Sequence, residues 1–67
     1  MVEQKRLAMK LKQFRTARGM TQEVLAKKAG LTQVHIARLE SGKHDPTLGT
    51  LQRLAKALKV KVGKLLE

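Results

Sequence analysis

The sequence predicts an all-α protein, a compact bundle of five helices, and three observations lead there. Apolar residues recur at helical spacing in separate segments, such as Leu7, Leu11 and Phe14, or Leu51, Leu54, Ala55 and Leu58. Thr caps and Gly stops punctuate those segments at Gly19, Thr21, Gly30, Thr32, Gly42 and Thr47. No run alternates with period two for long enough to make a strand, since Val60-Lys61-Val62 is too short.

Taken in order, the first helix is expected over roughly Glu3 to Arg18, without a side-chain N-cap but with Gly19 placed to end it in the left-handed conformation. Thr21 then caps a second helix, Gln22 to Ala29, with Glu23 in its first turn and Met20 and Leu25 at the positions of a hydrophobic staple. Gly30 stops it. Thr32 caps a third helix two residues later, Leu31 and Ile36 form the equivalent staple, and Gly42 closes it after Ser41. Lys43 to Pro46 is a polar loop, and Thr47 caps a fourth helix with a single apolar face. A short fifth helix, Val62 to Leu66, follows; its boundaries are weakly specified because Lys59 stands where a Gly would help and Lys61 where a capping side chain would.

Composition narrows the function. Sixty-seven residues suit one small domain, 1–67, with one core, and 15 Lys+Arg against 5 Asp+Glu leave a formal charge of +10. No Cys is present, so neither disulfides nor a Cys-based zinc site is expected. Phe14 is the only Phe, Tyr or Trp, which argues against stacking platforms for single-stranded nucleic acid and leaves double-stranded partners open. No apolar run is long enough for a membrane span or a signal peptide, and the default location is the cytoplasm. Five acids, no Gly-rich phosphate loop and no Ser-His-Asp set leave nothing at catalytic spacing, so no enzyme and no cofactor is expected.

Between Gln22 and Leu39 the small and apolar residues sit at positions with mechanical meaning. Ala26 lets two helices approach closely, Gly30 takes the positive φ of a sharp turn, and Ile36 and Leu39 bury the inner side of the later helix. This spacing describes a helix-turn-helix. With Ile36 and Leu39 inward, a wheel of about 100° per residue turns Val34, Ala37, Arg38 and Ser41 outward, with Gln33 at the first turn. The strip is short-chained except for two long hydrogen-bonding side chains, which suits a major groove: Gln33 can read adenine, Arg38 guanine, and Val34 a thymine methyl. His35 lies on the flank, as a phosphate neighbour or a plain surface residue. A metal site is not expected, because His35 and His44 lie on different elements.

Three stretches occur in order: R-x-x-x-G-x-T-Q-x-x-L-A, I-x-x-L-E-S-G-K and P-T-L-x-T-L-x-x-L-A-x-A-L. Through them residues Leu11 to Leu66 resemble the Cro/repressor-type helix-turn-helix family (the XRE family), DNA-binding domains of five helices with a lambda-repressor-like fold. The resemblance implies that Gln22 touches a phosphate and braces Gln33, and that Thr32, Gln33, Val34 and Arg38 face bases or the adjacent backbone. It places Lys43 and His44 on the sugar-phosphate chain, and it makes Arg15 and Glu40 a structural ion pair rather than a catalytic set.

Three departures from the family pattern stand out: Val34 replaces a polar residue, Lys59 a Gly, and Lys61 a capping Ser or Asp. The implied function is a sequence-specific regulator of transcription, most simply a repressor that occludes a promoter as a homodimer, with a recognition helix at about 32–41 and affinity from counterion release. The alternative is an antitoxin-like module that also binds DNA while its apolar tail docks a protein such as a toxin or polymerase. Val60, Val62, Leu65 and Leu66 are the apolar residues available for a dimer, of which Leu65 or Val60 can instead close the monomer core. Lys56, Lys59, Lys61 and Lys64 are either a second phosphate patch or a solvated face. Since the sequence runs out just after the fifth helix, no sensing domain is expected.

Overall fold

Thr hydroxyls start the three middle helices. In the computed structural model, which describes residues 4–67, the order is α1 (Gln4–Ala17), α2 (Gln22–Ala29), α3 (Gln33–Glu40), α4 (Leu48–Leu58) and α5 (Val62–Leu66). Thr21, Thr32 and Thr47 are extended at the backbone, and each hydroxyl accepts the N–H three residues on, from Val24, His35 and Thr50, at 3.1 Å. Each such cap stabilises its helix by about 1 kcal/mol relative to Ala. The start expected at Glu3 lies outside the described residues. At its other end α1 stops one residue short of Arg18, because the Met20 N–H folds back onto the Arg15 carbonyl at 3.1 Å and closes the helix as a turn.

The ends differ in chemistry but not in geometry. Gly30, at φ 70°, turns its N–H back onto the Ala26 and Lys27 carbonyls, and Lys59 does the same toward Ala55 and Lys56 at φ 58°. The Gly missing from the fourth helix has therefore not removed the left-handed cap; it has put a Cβ into it. Lys61 starts α5 without a side-chain bond, so what holds α5 in place is Leu65, fully buried against the rest.

One apolar cluster joins all five helices. Leu7 and Leu11 from α1, Leu25 from α2, Ile36 and Leu39 from α3, Leu54 and Leu58 from α4 and Leu65 from α5 are all sealed from solvent. Burial of such a side chain contributes about 1.5–3 kcal/mol. Met20, Leu31, Val60 and Val62 pack at the margin of the same cluster. Three of the four apolar residues near the end thus serve the monomer core, and Leu66 alone remains exposed.

A charged bond network crosses this apolar frame. Arg15, only 9% exposed, donates from Nε to Glu40 Oε2 at 2.6 Å and from Nη2 to Oε1 at 3.1 Å. Its Nη1 reaches the Met20 carbonyl at 2.7 Å, and Gln22 Nε2 adds a fourth bond to Glu40 Oε1 at 3.1 Å. The fork ties the end of α1, the turn after it, the start of α2 and the last residue of α3. Among the described residues no buried side-chain nitrogen or oxygen lacks a hydrogen-bond partner.

Two outcomes follow from this arrangement. Lys59→Gly relieves the left-handed strain and is expected to stabilise the fold by about 1 kcal/mol. In a domain this small, that is a rise in Tm of about 4–8 °C; an unchanged or lower Tm would contradict it. Glu40→Ala strands the Arg15 guanidinium, so urea unfolding should show a loss of about 3–5 kcal/mol. A loss below about 1 kcal/mol would mean that Arg15 finds water without strain.

Candidate nucleic-acid interface

The link between α2 and α3 is only Gly30, Leu31 and Thr32, and Leu31 N–H bonds back to the Ala26 carbonyl at 2.8 Å. So short a link fixes the angle between the two helices. Ile36 and Leu39 then face the core, and the Arg15–Glu40 fork holds the C-terminal end of α3. A helix pinned along one side must show the other. Gln33, Val34, Ala37, Arg38 and Ser41 are all exposed, Val34 at 61%, as the wheel requires.

Thr32, Lys43 and His44 are exposed beside this strip, and His35 is half-buried at its edge. The Thr32 hydroxyl accepts the His35 N–H and keeps its own proton to donate outward. Sequence reading set His35 and His44 apart because they lie on different elements; the loop after α3 instead returns His44 to the helix. Their rings stand edge to face, centroids 5.3 Å apart at 86°. Thr32, Val34, His35, Arg38 and His44 together line a shallow depression of about 280 Å³. Only the path of the loop brings the two imidazoles together, so no spacing in the sequence signals it. Two donors fall short of the three protein ligands usual at zinc, and no group of three His, Cys, Asp or Glu gathers among the described residues.

Gln22 has a partner that the resemblance does not name. Its amide donates to Glu40, and no hydrogen bond joins it to Gln33. The reason is geometric: Glu40 presents Oε1 to both Arg15 and Gln22, and a carboxylate is a stronger acceptor than a neutral amide. Gln33 therefore projects unbraced. The implied Arg15–Glu40 pair is present as a two-point bond.

Electrostatically the surface is one-sided. Of five acids, Glu40 and Glu67 are in ion pairs among the described residues, with Arg15 and with Lys64. Among the described residues Arg38 and Lys43 have no carboxylate partner.

A helix-turn-helix family model matches residues 11–65. An HTH-type transcriptional regulator of Methanocaldococcus jannaschii is 43% identical over 53 residues, covering 79% of this chain and 80% of its own. The immunity repressor protein of Bacillus phage phi105 is 36% identical over 56 residues, 84% of this chain and 39% of the repressor. Among solved structures, the restriction-modification controller protein C.AhdI of Aeromonas hydrophila superposes with a TM-score of 0.88 at 31% identity, over 91% of this chain and 92% of that one. An all-helical fold, a short rigid turn and an outward helix face thus coincide with kinship over most of the sequence, and the chain belongs to the helix-turn-helix family of transcriptional regulators.

Proposed function

We propose that the protein binds double-stranded DNA in a sequence-specific manner and represses transcription by occluding a promoter, with α3 seated in the major groove. The observation that carries this reading is the outer strip of α3. Ala37 and Val34 keep the helix surface low enough for close approach, and Gln33 and Arg38 stand beyond it with no partner among the described residues competing for their donors. Arg38 suits the O6 and N7 acceptors of guanine, Gln33 the N6 and N7 edge of adenine, and Val34 a thymine methyl.

The flanks supply affinity rather than readout. Thr32, His35, Lys43 and His44 border the strip and are assigned to phosphates. Gln22 gives one amide N–H to Glu40 and keeps the other, and that donor, with the backbone N–H groups at the start of α2, is assigned to a phosphate. One helix of eight residues reads few base pairs, so two copies on half-sites about 34 Å apart are assigned to one operator. Leu66, 45% exposed, is the C-terminal apolar residue left for their contact.

Selection of bound fragments from random duplexes tests the reading. A palindromic motif supports a two-fold dimer with α3 as reader, and a pool that stays random contradicts sequence recognition. On the selected duplex, Arg38→Ala should cost about 1–3 kcal/mol and relax preference at one base position, with little loss on random DNA. Lys43→Ala should weaken both duplexes alike and lower the salt slope by about one. Equal losses of Arg38→Ala on the two duplexes would reject its role at a base.

A further inference from the structure

A second cationic feature lies apart from the strip just described. Lys27, Lys28, Ala29 and Gly30 from the end of α2 face Arg53, Lys56, Ala57 and Lys59 from the outer half of α4 across a groove of about 680 Å³. Arg53 crosses it: its Nη1 comes within 4.0 Å of where a Gly30 Cβ would stand. All five cations are exposed, and among the described residues none has an ionic or hydrogen-bonding side-chain partner and no carboxylate lines the groove. Lys27, Lys28 and Arg53 are unremarkable in sequence; folding gathers them with Lys56 and Lys59. Lys64, by contrast, is turned to Glu67 at 3.7 Å.

The groove's chemistry narrows its occupant. Both helices end there, at Gly30 and Lys59, so the backbone presents carbonyl ends and not the N–H donors that would cradle one small anion. Attraction comes instead from five exposed cationic side chains spread along two rims, which suits a repeating polyanion. A protein partner is disfavoured by the uncharged lining, Ala29, Gly30 and Ala57, which offers no large apolar side chain to pack against an aromatic or aliphatic anchor. Lys is moreover depleted at protein–protein interfaces. A phosphodiester chain needs neither anchor nor pocket, only charge.

We propose that this groove is a second binding site for the backbone of duplex DNA, holding a stretch of phosphates that α3 does not occupy. The inference rests on the DNA-binding reading above. The groove begins at Gly30, two residues before Thr32, so DNA held by α3 raises the local concentration of further backbone beside it. That backbone is the flank of the same duplex, or a second duplex brought alongside.

The test compares the wild type with a Lys28→Gln/Arg53→Gln/Lys56→Gln variant, whose exposed substitutions should leave a cooperative thermal transition intact. Two probes share one selected site, a duplex of about 14 base pairs and one of about 40. A third measurement reads energy transfer between two short duplexes carrying donor and acceptor. On the short duplex the two proteins should bind with the same salt slope. On the long duplex the variant should lose about 2–3 units of slope per protomer, near 0.9 for each cation removed; this would place the flank in the groove. Energy transfer with the wild type and not the variant would place a second duplex there.

Unchanged slope on the long duplex together with no variant-dependent transfer would overturn the proposal while leaving α3's role intact. Poly-glutamate binding that is lost in the variant while both DNA measurements stay unchanged would overturn it in favour of an acidic protein. Failure of the wild type to bind the short duplex at low salt would overturn the DNA reading itself, and this proposal with it.

Discussion

The orientation of α3 depends on the bond between Arg15 and Glu40. Two charges withdrawn from water are costly, and their attraction offsets that cost only if geometry is good and the remaining donors and acceptors are filled. Here they are: the guanidinium meets the carboxylate at two points and the Met20 carbonyl at a third, and Gln22 fills a further site on Glu40. Apolar packing would tolerate a slight rotation of α3 about Ile36 and Leu39. A two-point bond at its last residue does not, because rotation would strand a buried charge. The same network reaches α1 and α2, so α1, α2 and α3 are joined at one point.

From that rigid frame the outer surface divides its tasks by side-chain length. The helix backbone of α3 is held in place, and it carries two long hydrogen-bonding side chains on an otherwise low strip. Affinity needs only positive charge near phosphates, which a chain of net charge +10 supplies from many positions. The edge-to-face imidazoles of His35 and His44 pack the loop carrying Lys43 against the flank of α3.

Much of this was legible in the sequence because it is local. Thr21, Thr32 and Thr47 announce helix starts through bonds spanning three residues, and the wheel for α3 follows once Ile36 and Leu39 are taken as inward. What stayed hidden is set by tertiary path. Lys59 lacks the freedom of a Gly, yet it takes the left-handed conformation, with its own N–H and that of Val60 bonded back to the Lys56 and Ala55 carbonyls. Gln22 turned to Glu40 and not to Gln33 because a carboxylate 18 positions away comes within reach only after folding. The pairing of His35 with His44, and the assembly of Lys27, Lys28 and Arg53 with Lys56 and Lys59, likewise need the loop and helix crossings that no spacing encodes.

The most direct measurement is an amide NMR titration of the protein with its selected duplex, residue by residue. If α3 is held so that its outer strip enters the major groove, the largest shifts fall on Thr32 through Arg38, on Lys43 and His44, and at the start of α2. Largest shifts on the outer side of α1, at Lys5, Arg6 and Met9, with α3 unchanged, would contradict it.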